Sequence, residues 1–259
     1  MKNFLDKIVE EFEQFPQVCA ISRCGSSRAK TNDALSDIDL EIFTDGEIPI
    51  NKRLEIVKKY SSKYEVGGDY FGGCDEFWVD EINNEIDISY FDKKWILDNV
   101  ENVWHKHYAS NGYTTCFLFT LKNCEILFER NNMLSDLKND LSGDYPQELK
   151  QNIIKRNLML IKDKPFSSYY DQIKNAIARN DLNSVNHRVS ALMASYFDII
   201  FAKNELLHPG EKKLVKYALD NCKILPNDFA KTVENLYTSK TDDILHNLDI
   251  LTDNLRKIL

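Results

Sequence analysis

The sequence predicts an α+β protein, in which an N-terminal mixed sheet with flanking helices is followed by an all-helical bundle. Two observations predict this order. Residues 1 to about 130 contain short alternating or apolar runs separated by turns, whereas residues from about 146 onward show almost only helical spacing. The 259 residues suffice for one large or two modest domains. We place a boundary near residue 140, which gives domains of residues 1–140 and 141–259.

The first half of the chain begins with a predicted helix over Asn3–Phe15, which Pro16 ends. Strands are predicted where apolar and polar residues alternate or where a short apolar run is bounded by turn residues. The predicted strands are Val18–Ser22, Asp37–Phe43, Glu65–Phe71, Glu76–Ile82 and Glu85–Phe91. Helices are predicted over Asn51–Tyr60 and Trp95–Val103. The apolar runs Thr114–Leu121 and Glu125–Phe128 are expected to be strands or parts of a hydrophobic wall.

The second half shows helical spacing from Leu149 to Leu160 and in every later segment. The later predicted helices are Tyr170–Ala178, Val185–Phe201, Pro209–Leu219, Asn227–Leu236 and Asp243–Leu259. Pro209 suits a first helical turn, and Thr241 is expected to be a helix N-cap. These helices form the predicted bundle.

The charge balance disfavours two classes of partner. The chain has 41 Asp and Glu against 33 Lys and Arg, which gives a net charge of −8. A protein that wraps nucleic-acid backbone needs a basic footprint, and a protein that binds a membrane surface through charge needs clustered cations. An acidic chain is compatible with a cationic substrate, although acidity also serves solubility alone.

The cysteines and the apolar segments indicate the compartment. The six cysteines form no C-x-x-C pair and lie mostly in apolar stretches, which predicts reduced, mostly buried thiols. The charged N-terminal helix is unlike a secretory signal. The longest apolar stretch, Ala191–Ala202, is interrupted by Asp198 and is too short to cross a bilayer. We therefore expect a soluble cytoplasmic protein without membrane contact.

A glycine-serine turn and two aspartates mark the candidate site. Gly25 and Ser26 follow a predicted strand, and a small turn there lets backbone N–H groups and the hydroxyl approach a phosphate. Asp37 and Asp39 lie at alternate positions of the next strand, so their carboxylates point to the same face. Two such oxygen ligands suit Mg²⁺, which combines one or two protein carboxylates with substrate phosphates. Arg28, just past the turn, is a candidate contact for a triphosphate.

A third acid comes from the predicted strand Glu85–Phe91, in which acidic and apolar residues alternate. If this strand lies beside the Asp37–Phe43 strand, Asp87 completes a cup of three carboxylates, which supports in-line displacement at phosphorus. Glu41 and Glu85 compete with Asp87 for the role of third acid or base, and the sequence leaves the choice open.

The order of these residues resembles the polymerase-β-type nucleotidyltransferase superfamily: a Gly-Ser pair, an Asp-x-Asp about ten residues later, and a further acid on a strand. In this chain they are Gly25, Ser26, Asp37, Asp39 and Asp87. The size of the chain and its helical second half resemble bacterial antibiotic adenylyltransferases. The stretches Tyr145–Arg156 and Tyr196–Lys213 resemble an uncharacterised bacterial nucleotidyltransferase-like branch.

The resemblance implies a nucleotidyltransferase-type sheet and the transfer of a nucleoside monophosphate, usually AMP from ATP, to an acceptor hydroxyl. It implies that Asp37 and Asp39 bind two Mg²⁺ ions and that Asp87 is a further ligand or the base that takes the acceptor proton. It also implies that Gly25 and Ser26 hold the β- and γ-phosphates.

The implied partners are a nucleoside triphosphate and a small hydroxylated acceptor. An aminoglycoside- or lincosamide-like antibiotic is one candidate acceptor, with antibiotic resistance as the corresponding role. Cations of the helical half often reach the nucleotide phosphates in this superfamily, which makes Lys212 and Lys213 candidates. Two alternatives stay open: an enzyme that adenylylates a protein in a toxin–antitoxin or regulatory system, and a nucleotide-binding sensor without catalysis.

Overall fold

The computed structural model describes residues 4–24, 37–70 and 72–259. Within these residues the chain forms two units. The first, here called the sheet unit, comprises the chain up to Glu101 together with Thr120–Gly143. The second, here called the helical unit, comprises Asn102–Phe119 and Asp144–Leu259. The division into domains of residues 1–140 and 141–259 stays a prediction.

One mixed sheet forms the framework of the sheet unit. Within the described residues its six strands are β1 (Val18–Arg23), β2 (Ile38–Thr44), β3 (Tyr64–Gly68), β4 (Cys74–Val79), β5 (Asn84–Asp92) and β6 (Glu125–Glu129). Their order across the sheet is β3-β4-β5-β2-β1-β6. β2 and β5 run parallel, and the other neighbouring strands are antiparallel.

Two amphipathic helices cover one face of this sheet. They are α1 (Phe4–Glu13) and α2 (Ile50–Val57), whose apolar side chains share one core with alternate residues of the strands. Leu40 on β2 and Ile88 on β5 are buried in that core and pair across the parallel ladder. Because side chains alternate between faces along a strand, the odd-numbered residues of β2 and β5 point away from this core.

The remaining helices of the sheet unit follow β5 and β6 along the chain. They are α3 (Lys93–Val100), which continues into a π-helical turn at Glu101–His105, and α5 (Met133–Asp140). Between them, α4 (Cys116–Asn123) links the two units along the chain. The side chain of Asp92 caps α3 by accepting hydrogen bonds from the backbone N–H groups of Lys94 and Trp95.

Helices make up the helical unit, as predicted. They are α6 (Gln147–Leu158), a π-helical turn (Met159–Asp163), α7 (Tyr169–Ala178), α8 (Leu182–Lys203), α9 (Leu214–Asn221), α10 (Phe229–Thr238), a 3₁₀ turn (Thr241–Asp243) and α11 (Ile244–Arg256). The C-terminal half of α8 is buried nearly all round, which is typical of the central helix of a bundle. The α+β fold class predicted from the sequence is confirmed.

Three local predictions are wrong. Thr114–Leu121 is expected to be a strand or part of a hydrophobic wall, and the strand is wrong because the helix α4 begins at Cys116. An unbroken apolar run has no periodicity that distinguishes a strand from a helix. The predicted helix Pro209–Leu219 begins only at Leu214, since Gly210 and Lys213 have left-handed backbone angles, with φ of +98° and +53°. Thr241 opens the 3₁₀ turn and does not cap α11.

Two further features bear on the expectations from composition. All six cysteines lie in described parts of the chain and are free thiols, but only Cys24 and Cys124 are buried. Across the described residues, none of the helices combines the length and apolar character needed to span a membrane.

Candidate active site

The parallel pairing of β2 with β5 brings two of the predicted acids together. Asp39 pairs directly with Asp87 in this ladder. Both side chains are partly buried on the sheet face that points away from α1 and α2. The expected adjacency of the two strands is thus confirmed, and it is the condition on which the carboxylate site depended.

The acidic row extends across two more strands. Glu76 on β4 pairs with Asp87, and Glu65 on β3 pairs with Glu76. Asp39, Asp87, Glu76 and Glu65 therefore lie side by side on four adjacent strands. Glu65 and Glu76 are not among the predicted site residues, because alternation shows which face a residue takes but not which residue lies opposite it.

Like charges surround Asp87. Burial, followed by the charges of Glu76, Asp39 and Asp37, raises the pKa of Asp87 to about 6. Its Oδ1 atom is buried and has no hydrogen-bond partner among the described residues. Burying a negative charge among acidic neighbours, with one oxygen unpaired, costs free energy that the described residues do little to offset. This carboxylate is therefore suited to bind a positive ligand.

The other candidate acids differ in their surroundings. Asp37 is exposed at the residue before β2. Glu85 is partly buried on the same face as Asp87 and adds to the charge around it. Glu41 is buried and accepts a hydrogen bond from Ser22 Oγ at 3.1 Å, and burial raises its pKa. Glu41 is thus tied to β1, whereas the carboxylate of Asp87 is left with an open oxygen.

The donor set fits a divalent ion that arrives with a substrate. In the described ranges, no three His, Cys, Asp or Glu side chains form a ready-made metal cluster. Mg²⁺ seldom needs one, because it takes one or two carboxylates and completes its shell with water and substrate phosphates. Asp39 and the unpaired oxygen of Asp87 supply carboxylates of that kind. The assignment of Asp37, Asp39 and Asp87 as the ligands stays a prediction.

The predicted phosphate-binding residues Gly25, Ser26 and Arg28 lie outside the described residues. The chain that leads into them is described: the backbone N–H of Cys24 donates to the carbonyl oxygen of Asp39 at 2.9 Å. The residue before Gly25 is therefore anchored directly beside one of the two paired aspartates.

Lys212 and Lys213 lie in the helical unit. Both are exposed and directly precede α9. The loop before them is held by His208, whose Nδ1 accepts a hydrogen bond from the Gly210 N–H at 3.1 Å. Burial lowers the pKa of His208 to about 4, so this imidazole is neutral at physiological pH. A contact between these lysines and a nucleotide stays a prediction.

A buried acid in the helical unit has a structural explanation. Asp198 on α8 accepts hydrogen bonds from Thr114 N at 3.1 Å, Thr114 Oγ1 at 2.7 Å and Asn157 Nδ2 at 3.1 Å. Burial raises its pKa to about 6. In the sequence, Asp198 only interrupts an apolar run. In the structure it fastens the segment Asn102–Phe119 to α8.

Comparison with known proteins gives structural likenesses only. No family model and no curated protein matches the chain. Similar solved structures include a nucleotidyltransferase-like protein from Exiguobacterium sibiricum, at 14% identity over 96% of this chain and 72% of that one, with a TM-score of 0.48.

Two other similar structures carry more specific names. A spectinomycin adenyltransferase from Enterococcus faecialis, solved with ATP and spectinomycin, matches at 10% identity over 98% of this chain and 100% of that one, with a TM-score of 0.31. A STING-associated c-di-GMP synthase from Capnocytophaga granulosa matches at 16% identity over 98% and 78%, with a TM-score of 0.29. Because the likenesses are weak, a proposal for the function has to rest on the residues of this chain.

Proposed function

We propose that this chain is a Mg²⁺-dependent nucleotidyltransferase that transfers AMP from ATP to a hydroxyl group of a small acceptor. The proposal is carried by Asp39 and Asp87, which pair in register on adjacent strands. The charges around Asp87 are acidic, and its Oδ1 atom has no hydrogen-bond partner among the described residues. Perturbed acids of this kind are concentrated at functional sites.

The acids would divide the chemistry between them. Asp37, Asp39 and Asp87 would hold the Mg²⁺ ions, which when bound neutralise the triphosphate and stabilise the leaving pyrophosphate. In the transfer, the acceptor oxygen bonds to the α-phosphorus as the bond from that phosphorus to the bridging oxygen breaks. The acceptor proton passes to a carboxylate. Asp87 takes this role where it is not itself a metal ligand, and Glu41 and Glu85 are the other candidate bases.

The chain offers candidates for holding the nucleotide. Gly25, Ser26 and Arg28 would hold the triphosphate. Cys24, the residue before them, donates its backbone N–H to Asp39 O, which supports this proposal. Lys212 and Lys213, whose side chains are exposed, are the further candidates for contacting the phosphates.

The acceptor is proposed to carry positive charge. Glu65 and Glu76 continue the acidic row away from Asp87, and the chain as a whole has a net charge of −8. Complementary charge favours a cationic acceptor. An amino-sugar or lincosamide-like antibiotic has both the hydroxyl groups and the amines required, which makes antibiotic modification one candidate role.

The test is a transfer assay with α-labelled ATP, Mg²⁺ and a panel of hydroxylated amines. We expect pyrophosphate and a labelled acceptor, and we expect Asp39→Asn to lower the rate more than roughly a hundredfold, since changing even a partner of a metal ligand costs 10–100-fold. The matched control is Asp45→Asn, which changes an exposed acid just past the other end of β2 and should leave the rate unchanged.

The assay also separates the alternatives. Label on a polypeptide would favour a protein-modifying enzyme over a small acceptor. Tight ATP binding without any labelled acceptor would favour a sensor. Phosphate release without an acceptor would indicate a hydrolase. Equal activity of Asp39→Asn and the unchanged chain would contradict the proposed site.

A further inference from the structure

Two buried cysteines lie opposite each other where the pairing of β1 with β6 ends. The last pair of this antiparallel ladder is Arg23 with Glu125, so the next step places Cys24 opposite Cys124. Each thiol perturbs the pKa of the other. Opposed residues of antiparallel strands have Cα atoms about 4.5–5.5 Å apart, within the roughly 4.4–6.8 Å that a disulfide spans. The backbone is therefore already placed for a bond between these two sulfur atoms.

The two thiols have different neighbours. Lys138 Nζ lies 4.0 Å from Cys124 Sγ and also donates to the Cys124 carbonyl oxygen. Cys24 Sγ lies 3.5 Å from Ser22 Oγ, which donates to the buried carboxylate of Glu41. The Cys24 thiol and the Lys138 ammonium group lower the pKa of Cys124, whereas the Cys124 thiol, burial and the Glu41 carboxylate raise the pKa of Cys24. Cys124 is thus the better nucleophile and Cys24 the thiol that stays protonated.

Thiol chemistry accounts for this pair better than metal binding does. Within the described residues, no third His, Cys, Asp or Glu ligand completes a metal cluster with them. Both cysteines are buried, with 7% and 3% of their surface exposed, yet both lie just beyond the strand pairing, where local opening is least costly.

We propose that Cys24 and Cys124 form a reversible disulfide that alters the nucleotide site. With hydrogen peroxide as oxidant, the Cys124 thiolate takes one peroxide oxygen to become a sulfenic acid, and water is released once the other oxygen is protonated. Cys24 sulfur then attacks the Cys124 sulfur, the S–O bond breaks, and a second water leaves. The two thiols lose two electrons, which the peroxide accepts.

The consequence for activity rests on the proposed function. The backbone N–H of Cys24 donates to the carbonyl oxygen of Asp39. A new covalent bond at Cys24 therefore shifts the backbone that helps to hold Asp39 in place. It also draws the sulfur away from Ser22 and Glu41. Because a misplacement of about 1 Å can cost roughly 10²-fold in rate, we expect oxidation to lower AMP transfer by about tenfold or more.

The bond itself is tested without any substrate. The full-length chain is exposed to hydrogen peroxide in its native state, digested, and its cross-linked peptides are identified by mass spectrometry. We expect a linked pair of peptides containing Cys24 and Cys124, a loss of two of the six free thiols, and their recovery with dithiothreitol. Six thiols still free, or a link between any other pair, would overturn the proposal.

Variants then test the link to activity. Cys124→Ser should lose the sensitivity of AMP transfer to peroxide, whereas Cys19→Ser, on the same strand that leads to Cys24, should keep it. If the disulfide forms and the rate of the oxidised chain is unchanged, the effect on the site is refuted. Peptide mapping needs neither the variants to fold nor the proposed reaction to occur, so failure of the proposed function leaves the disulfide test intact.

Discussion

Two acids on adjacent strands, Asp75 on β4 and Asp87 on β5, face opposite sides of the sheet and have opposite surroundings. Asp75 is fully buried on the side covered by α1 and α2. It accepts hydrogen bonds from Arg53 Nη1 at 3.0 Å, from Gly67 N at 2.8 Å and from Tyr90 Oη at 2.6 Å. The chain therefore supplies a positive charge and two further donors to this carboxylate.

Asp87 receives no comparable support from the described residues. Its neighbours Glu76, Asp39 and Asp37 are all acidic, and its Oδ1 atom has no partner within the described part of the chain. A buried acid that the fold has neutralised is a structural element, whereas an acid left among like charges is suited to bind a cation from outside. The contrast separates the framework of the sheet from its candidate active site.

The largest expected effect comes from removing the charge of Asp87. Asp87→Asn should lower the rate of AMP transfer by roughly a hundredfold or more, because the change removes a carboxylate that serves the reaction as a metal ligand or as the base. Its melting temperature should stay equal or rise, because the change relieves repulsion among the acids. Steady-state kinetics and thermal unfolding measure the two effects. A variant that loses stability but keeps its rate would place Asp87 in the framework instead.

The converse change is Asp75→Asn, which should act on stability. Removing one member of a buried ion pair typically costs about 3–5 kcal/mol, because the other charge is left buried without a partner. We expect a loss of that size in the free energy of unfolding in urea, since Arg53 would lose its counter-charge.

An exposed ion pair of the same unit provides the control for this measurement. Lys7 Nζ and Glu81 Oε1 lie 3.1 Å apart at the surface, and such pairs contribute about 1 kcal/mol or less. Glu81→Gln should therefore have a small effect. Similar losses for Asp75→Asn and Glu81→Gln would mean that the Asp75 network does not hold the sheet unit together.

A third acid extends the comparison to the helical unit. Asp198 is buried like Asp75, but it is bound by the neutral donors Thr114 and Asn157. Its pKa is raised from 3.8 to about 6, so the folded chain holds the proton more tightly than the unfolded chain does. The stabilising contribution is complete below pH about 4 and is lost as the pH rises through about 6.

The expected size follows from the difference between the two pKa values. Between pH 4 and pH 7 the free energy of unfolding of the unchanged chain should fall by about 2–3 kcal/mol relative to Asp198→Asn, because a tenfold difference in proton affinity is worth about 1.4 kcal/mol. Urea unfolding at several pH values measures it. Glu234→Gln, an exposed acid on α10, is the control and should follow the unchanged chain. Parallel curves for Asp198→Asn and the unchanged chain would contradict this role of Asp198.

The face that carries the acids could be predicted from sequence, but not the complete row. Alternation in β2 and β5 places Asp39 and Asp87 on the polar side whatever the sheet topology. Glu65 and Glu76 join them only through the registers of β3 with β4 and of β4 with β5. Those registers depend on the turns and on the packing of the whole sheet.

The roles of the framework acids could not be predicted from sequence either. Asp75 and Asp198 become explicable only when distant segments supply Arg53 and Thr114 as partners. The wrong predictions near α4 and α9 have local causes. An apolar run has no periodicity that distinguishes a strand from a helix. The left-handed backbone angle at Lys213 cannot be predicted from residues that all favour helices. Hydrophobic periodicity thus predicts helices and strands, whereas contacts between distant segments decide which buried acids have a counter-charge or hydrogen-bond donors.

The central claim is that Asp39 and Asp87 leave room for a divalent cation that accompanies a nucleotide. The most direct measurement is a crystal structure of the chain with Mn²⁺ and a non-hydrolysable ATP analogue, with the ion located by its anomalous signal. We expect an anomalous peak coordinated by the carboxylates of Asp39 and Asp87 and by oxygens of the triphosphate. An analogue bound elsewhere, or an ion that neither carboxylate touches, would contradict the claim.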